Sequence, residues 1–78
     1  MQFDQVIVRD PMVCGGEPII RGTRVTLRTI LASLADGDTP DTIVRAFPTL
    51  KVEDVQAVIA FAAASAREDL PVPGVPAA

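Results

Sequence analysis

The residues most able to do chemistry lie within residues 10–28, in the run DPMVCGGEPIIRGTRVTLR. This run holds a thiol, Cys14, two glycines directly after it, and three closely spaced arginines, Arg21, Arg24 and Arg28. A thiol can act as a nucleophile, a glycine-rich turn can cradle phosphate, and clustered guanidinium groups can bind phosphate or carboxylate. Each of these chemistries needs partner residues elsewhere in the chain.

Those partners are missing for catalysis and for metal binding. The chain has no histidine, so the commonest general base is absent and Cys14 lacks its usual activating partner. One thiolate without imidazole cannot complete a structural zinc site. The glycine pair lacks the Lys-Ser/Thr that follows in a P-loop, and a tight turn explains it better. We predict a chain that is not an enzyme, with no metal, no cofactor and no small-molecule substrate.

The arginines leave two interpretations open. Arg28 falls in the first turn of a predicted helix, where a cation is unfavourable for the helix dipole. Its position suggests a partner carboxylate or phosphate. One interpretation is a nucleic-acid-binding face that Arg21 and Arg24 complete. The other is a solvated face with a salt bridge to Glu17 or Asp10.

The length and net charge of the chain limit which partners it can bind. The chain has 78 residues and a net charge of −3, and residues 1–30 hold four arginines against three carboxylates. The acidic balance argues against strong nonspecific nucleic-acid binding but permits a local basic face. A core of this size rarely contributes more than about 3–5 kcal/mol, and a single cysteine forms no internal disulfide. We therefore expect a homodimer or a tight complex with another protein.

The cellular location follows from the same composition. A lone thiol fits the reducing cytoplasm, and the longest uncharged helical stretch is too short to span a bilayer. The sequence predicts a cytoplasmic protein with no membrane association.

Strand and turn signals precede helix signals along the chain. Residues 5–8 and 18–20 read as short strands, residues 12–17 as a loop, and residues 23–25 as extended. Three helices then follow, and capping and stop signals mark their ends: Thr26 and Gly37 for the first, Thr39-Pro40 and Pro48 for the second, Lys51 and about Asp69 for the third. The predicted inward face of the third helix is Val52, Val55, Val58, Ile59, Ala62 and Ala66, with its C-terminal half extending beyond the core.

These elements predict one mainly α domain. A short N-terminal β element and Gly-rich loop (1–25) precede a three-helix, helix-turn-helix bundle (26–69) and a disordered or extended proline-rich tail (70–78). The second and third helices match the helix-turn-helix pattern. Glu53 and Asp54 at the start of the third helix would repel phosphates, so we expect any DNA contact to come from the arginines.

One family shares this pattern. The sequence resembles the domain of unknown function 433 family over roughly residues 4–66, with a spacing of GGEPIIRGTRV ahead of a Leu-rich helix that is quite specific. The residues that carry the resemblance are Asp10-Pro11, the run 14–20, Gly22-Thr23-Arg24-Val25, Ile30, Leu34, Gly37, Ile43, Phe47-Pro48, Leu50 and Glu53-Asp54-Val55. One departure is Lys51, where members commonly place Thr or Ser as a helix cap.

The resemblance implies a homeodomain-like domain and a VapB-like antitoxin. By that analogy the chain binds and neutralises a PIN-like nuclease toxin and represses its own operon by binding operator DNA. The apolar residues expected to contact the partner are Phe61, Leu70, Val72 and Val75. Two alternatives remain: a stand-alone dimeric helix-turn-helix regulator that binds DNA through Arg21, Arg24 and Arg28, and a protein-interaction adaptor.

Overall fold

The structure, a computed structural model, describes the backbone of residues 5–69 and the side chains of residues 5–66. It has a two-stranded antiparallel sheet followed by three helices. In chain order the elements are β1 (Ile7–Arg9), a 3-10 turn (Cys14–Gly16), β2 (Pro18–Ile20), α1 (Leu27–Ala35), α2 (Pro40–Ala46) and α3 (Val52–Asp69). The predicted fold class is confirmed, whereas the domain bounds and the dimer stay predictions.

The two strands form a hairpin with two different faces. Ile7 pairs with Ile20, and Val8 pairs with Ile19. Because paired residues project to the same side and neighbours alternate, Ile7 and Ile20 share one face and Val8 and Ile19 share the other. The first face packs on the helices, since Ile20 belongs to the core cluster and Ile7 packs against it.

The ends of α1 are fixed by local hydrogen bonds. Thr26 is the N-cap, and its hydroxyl oxygen accepts from the backbone N–H of Thr29 at 3.2 Å. At the other end Gly37 has a φ of +97°, a left-handed conformation that glycine adopts without strain. The N–H of Gly37 donates to the carbonyl of Leu34, and the next N–H donates to Ser33. This pattern is the Schellman motif, and both predicted helix ends are confirmed.

The second and third helices, α2 and α3, begin with two different caps. Thr39 caps α2 by accepting from the N–H of Thr42 at 3.2 Å, and Pro40 takes the first helical position. At α3 the carboxylate of Asp54 accepts from the N–H of Lys51 at 2.9 Å. This is the reverse half of a capping box. The start of α3 therefore keeps one of its two cap bonds although Lys51 lacks a capping side chain.

The core lies where the three helices meet the inner face of the hairpin. Its buried members are Ile20, Leu27, Ile30, Ile43, Leu50, Val55 and Val58. In α3, the described side chains that are buried all lie at or before Val58. The predicted inward face is wrong for Ile59, which is 42% exposed, and for Ala66, which is exposed. The core ends after two turns of α3, because α1 and α2 are too short to cover more of it.

No helix between residues 5 and 69 has the length and hydropathy that crossing a bilayer requires.

Candidate functional site

The loop that joins the two strands is built from three consecutive left-handed residues. The φ angles are +50° at Cys14, +65° at Gly15 and +83° at Gly16. Glycine favours this conformation, whereas a residue with a side chain is strained in it. The thiol of Cys14 donates to the carbonyl of Arg24 at 3.3 Å. The cysteine and the glycines therefore shape this loop and tie it to the arginines.

Polar groups of Arg9, the last residue of β1, and of Asp10, the residue after it, also hold this loop. The carboxylate of Asp10 accepts from the N–H of Met12 at 2.9 Å, and the Asp10 carbonyl accepts from the N–H of Val13. The guanidinium of Arg9 donates to the carbonyl of Gly16 at 3.2 Å. Asp10 thus acts in a turn of the backbone, which is the usual role of aspartate at such a position.

The segment that carries the first two arginines is a tight turn rather than an extended piece. We call residues 21–25 the arginine turn. The N–H of Ile20 donates to the carbonyl of Val25 at 3.0 Å. The hydroxyl of Thr23 donates to the Ile20 carbonyl at 2.8 Å and accepts from the N–H of Val25 at 3.1 Å. Gly22 has a φ of +78°, so the prediction of extended chain over residues 23–25 is wrong, because Thr23 closes a hydrogen-bonded turn.

The three predicted arginines are all exposed, but their partners differ. Arg21 donates from Nε to the carbonyl of Gln5 at 2.9 Å. Among the side chains that the structure describes, no carboxylate forms an ion pair with Arg24. Arg28 pairs with Glu17 at 3.0 Å, with side chains 77% and 43% exposed respectively. The salt-bridge interpretation therefore holds for Arg28, while Arg24 has no carboxylate partner among the described side chains.

A groove lies beside the arginine turn. We call it the hairpin groove, and its volume is about 690 Å³. Its apolar lining comes from Val8, Val13, Ile19 and Val25, and its charged lining from Asp10, Arg21 and Arg24. Thr49, from the loop between α2 and α3, closes one side. The fold therefore places the arginine turn next to the helix-turn-helix loop.

The other predicted contact residues are placed differently. Phe61 is half-buried and packs against the core cluster, so part of its ring serves the fold. Leu70, Val72 and Val75 lie outside the described residues, and their predicted contact with a partner stays a prediction. Within residues 5–69, no group of three or more carboxylates and thiols could hold a metal ion.

Reasoning from the sequence missed the apolar half of the groove. Val8 and Ile19 lie in predicted strands, but neither residue is assigned to a face of the sheet from the sequence alone. The signal was present, because Ile7-Val8 and Ile19-Ile20 put apolar residues on both faces of the same hairpin. Thr49 carried no such signal, because only the fold brings it to the groove.

Comparison with known families now identifies the chain. The profile described as "Protein of unknown function (DUF433)" matches residues 7–62, which includes both strands, the groove and most of α3. The chain belongs to the DUF433 family. Its membership confirms the resemblance drawn from the GGEPIIRGTRV run and its spacing.

Two proteins show how far the similarity extends. The chain is similar to a crystal structure of a DUF433 member from Anabaena variabilis, with a TM-score of 0.71 and 28% identity over 83% of this chain and 64% of that one. It is 31% identical over 61 residues to the uncharacterized protein y4eO of Sinorhizobium fredii, covering 78% of this chain. The chain spans only 28% of the length of y4eO.

Proposed function

We propose that this DUF433 chain is the antitoxin-like component of a type II toxin–antitoxin module. In this proposal it binds and neutralises a PIN-like nuclease, and it represses its own operon by binding DNA. It is a binding protein and not an enzyme. Support at the level of the family comes from the resemblance of DUF433 members to VapB-like antitoxins.

The observation that carries the DNA-binding half of the proposal is the arginine turn. Arg21 and Arg24 are exposed on a backbone fixed by hydrogen bonds, and Arg28 is exposed in the first turn of α1. The chain is acidic overall, so these cations form a local basic face that can contact phosphates. The carboxylates of Glu53 and Asp54 at the start of α3 would repel phosphate, so in this proposal the arginine turn and not α3 contacts the DNA.

Neutralisation is tested with the PIN-like nuclease that the proposal expects to be encoded beside the gene. The two proteins are coexpressed with a tag on the nuclease, and RNase activity is measured for the nuclease alone and for the copurified pair. We expect copurification and loss of RNase activity in the pair. An undiminished activity in a purified complex, or no complex at all, would exclude the antitoxin role.

DNA binding is tested with the upstream region of the operon as a fluorescent duplex. Binding should weaken with salt, and the variant with Arg21, Arg24 and Arg28 all changed to Glu should lose it. Arg45→Glu controls for charge reversal outside the arginine face, since Arg45 is an exposed cation at the end of α2. Each single Arg→Glu variant of the face is compared with it at equal net charge. If the triple variant binds as tightly as the control, the arginine face is not the DNA site. DNA binding without any nuclease complex would instead support a stand-alone regulator.

A further inference from the structure

The hairpin is apolar on both faces, although the helices cover only one. Antiparallel sheets with one covered face normally alternate apolar and polar residues. Here Ile7 and Ile20 pack on the core, while Val8 and Ile19 on the other face do not belong to the core cluster. Val13 from the loop lines the groove beside them. Ile19 is 3% exposed and is therefore already covered within the chain. Val8 and Val13 are only half-buried, so part of this second apolar face stays open.

The rim of the groove adds charge to that apolar floor. Arg21 and Arg24 line it, and among the described residues Asp10 is the one carboxylate that does. One oxygen of the Asp10 carboxylate already accepts a backbone N–H. The groove therefore presents an apolar floor with a positive rim, and a matching occupant carries apolar groups and negative charge together.

We propose that the hairpin groove is a docking site for an extended segment of a partner protein that alternates apolar and acidic side chains. Its apolar side chains contact Val8 and Val13, and its carboxylates pair with Arg24. An extended segment suits the site because alternate side chains of a strand point to the same side. The proposal rests on the proposed function in one respect, since the partner protein is then the nuclease.

The same features disfavour two other occupants. Nucleic-acid backbone would contact Arg24 through its phosphates but would leave Val8 and Val13 without apolar contacts. Because the proposed DNA face uses the same arginine, we expect DNA and the acidic segment to compete for it. A second copy docked hairpin to hairpin would bring Arg21 and Arg24 against the same residues of its partner, and like charges in contact are unfavourable. The acidic, apolar segment is the occupant that matches both the floor and the rim.

The test uses the full chain, labelled with nitrogen-15, and blocked hexapeptides at millimolar concentration. One peptide alternates valine with glutamate, and its matched control alternates valine with lysine. We expect the glutamate peptide to shift the amide signals of Val8, Val13 and Val25, and the lysine peptide to leave them unchanged. Equal shifts with both peptides, shifts confined to the helices, or no shift with the glutamate peptide would each overturn the proposal.

Two variants separate charge from apolar contact. R24E should weaken the glutamate peptide about tenfold and allow the lysine peptide to bind, because it reverses the charge of the rim. V8T keeps a β-branched residue of similar volume in the strand and should weaken binding about fourfold through lost apolar contact. R45E, with the same change of net charge outside the groove, should bind like the parent chain. Equal weakening by R24E and R45E would count against the site.

The competing occupants give their own results. If a DNA duplex shifts the groove amides and the glutamate peptide does not, the groove belongs to nucleic acid. If raising the protein concentration alone shifts them, a second copy occupies it. Failure of the groove is distinguishable from failure of the proposed function. If the R24E variant neutralises the nuclease as well as the parent chain does, the groove proposal alone is refuted. If the parent chain does not neutralise the nuclease, the antitoxin role is refuted.

Discussion

The hairpin half of the molecule, residues 5–26, and the helical half, residues 27–66, use their residues in opposite ways. In the helical half, apolar side chains such as Ile30 and Val58 are fully buried in the core, and polar groups such as Thr39 cap helix ends. In the hairpin half, apolar residues such as Val8 lie outside the core cluster and Arg24 is unpaired among the described side chains. The contrast is not complete, since Ile20 of the hairpin is a core residue and Ile59 of α3 is 42% exposed. The hairpin half differs in holding the groove and a cation with no carboxylate partner among the described side chains.

The residue types that suggest chemistry illustrate the same difference. Cys14 and the glycines after it were the best candidates for a reactive site, and the structure uses them to hold a left-handed loop. Ordinary valines in the same half, with no reactive group, line the groove. A binding surface is therefore better located by asking which apolar groups the core leaves out than by looking for reactive side chains.

The largest expected effect separates core from groove. Ile30 is 0% exposed, and Ile30→Ala should cost about 2–5 kcal/mol, which is comparable to the whole stability of so small a domain. Val8→Ala should cost less, about 1 kcal/mol, because Val8 is half-buried and outside the core cluster. Urea unfolding followed by circular dichroism measures both. Equal costs would mean that the outer face of the hairpin is part of the core.

The second effect compares one glycine from each half. Gly22 and Gly37 both have positive φ, and a Cβ at either meets no atom within 4 Å. Alanine at each position should therefore cost about 1–2 kcal/mol from backbone strain alone, and asparagine should cost less because it tolerates this conformation. Thermal unfolding of the four variants checks this. A much smaller loss of stability at Gly22 than at Gly37 would show that the backbone of the arginine turn adjusts to the new side chain, whereas the end of α1 does not.

The third effect concerns the caps of the helix-turn-helix pair. Thr39→Ala should destabilise the protein by about 1 kcal/mol, because α2 loses its cap. Lys51→Thr should stabilise it by about 0.5–1 kcal/mol, because a hydroxyl there completes the capping box that Asp54 already half-forms. Denaturant midpoints, compared with a common m-value, show whether each substitution raises or lowers the free energy of unfolding. A Lys51→Thr variant that is less stable than the parent would contradict this account of the α3 start.

The smallest expected change in stability comes from removing the exposed ion pair between Glu17 and Arg28, which joins the two halves. Glu17→Gln should change stability by less than about 0.5 kcal/mol, because both partners are largely solvated. It should strengthen operator binding at low salt, because it removes a negative charge beside Arg28 and leaves that arginine to phosphate. Fluorescence anisotropy with the operator duplex checks the second expectation. Unchanged or weaker binding would place Arg28 outside the DNA contact.

Local signals predict some of this structure and leave some of it open. The caps at Thr26 and Thr39 and the stop at Gly37 are predictable because each is read from the residue and its near neighbours. Residues 23–25 are predicted as extended although the turn is also local, since the hydroxyl of Thr23 bonds Ile20 and Val25. Threonine is favoured in strands and also forms such turns, so the residue type alone does not decide between them. The groove could not be predicted, since it depends on the position of Thr49 relative to the hairpin.

The second half of α3 has a consequence for hydrogen exchange. Within the described side chains no residue after Val58 is buried, so the turns that follow gain little from tertiary contact. They are rich in alanine at positions 60, 62, 63, 64 and 66, the residue with the highest intrinsic helix propensity. Amide protection should therefore be high near Val55 and decline steadily beyond Phe61, as local opening replaces global unfolding as the route of exchange. The helix propensity of alanine, rather than burial in the core, therefore keeps this part of α3 helical.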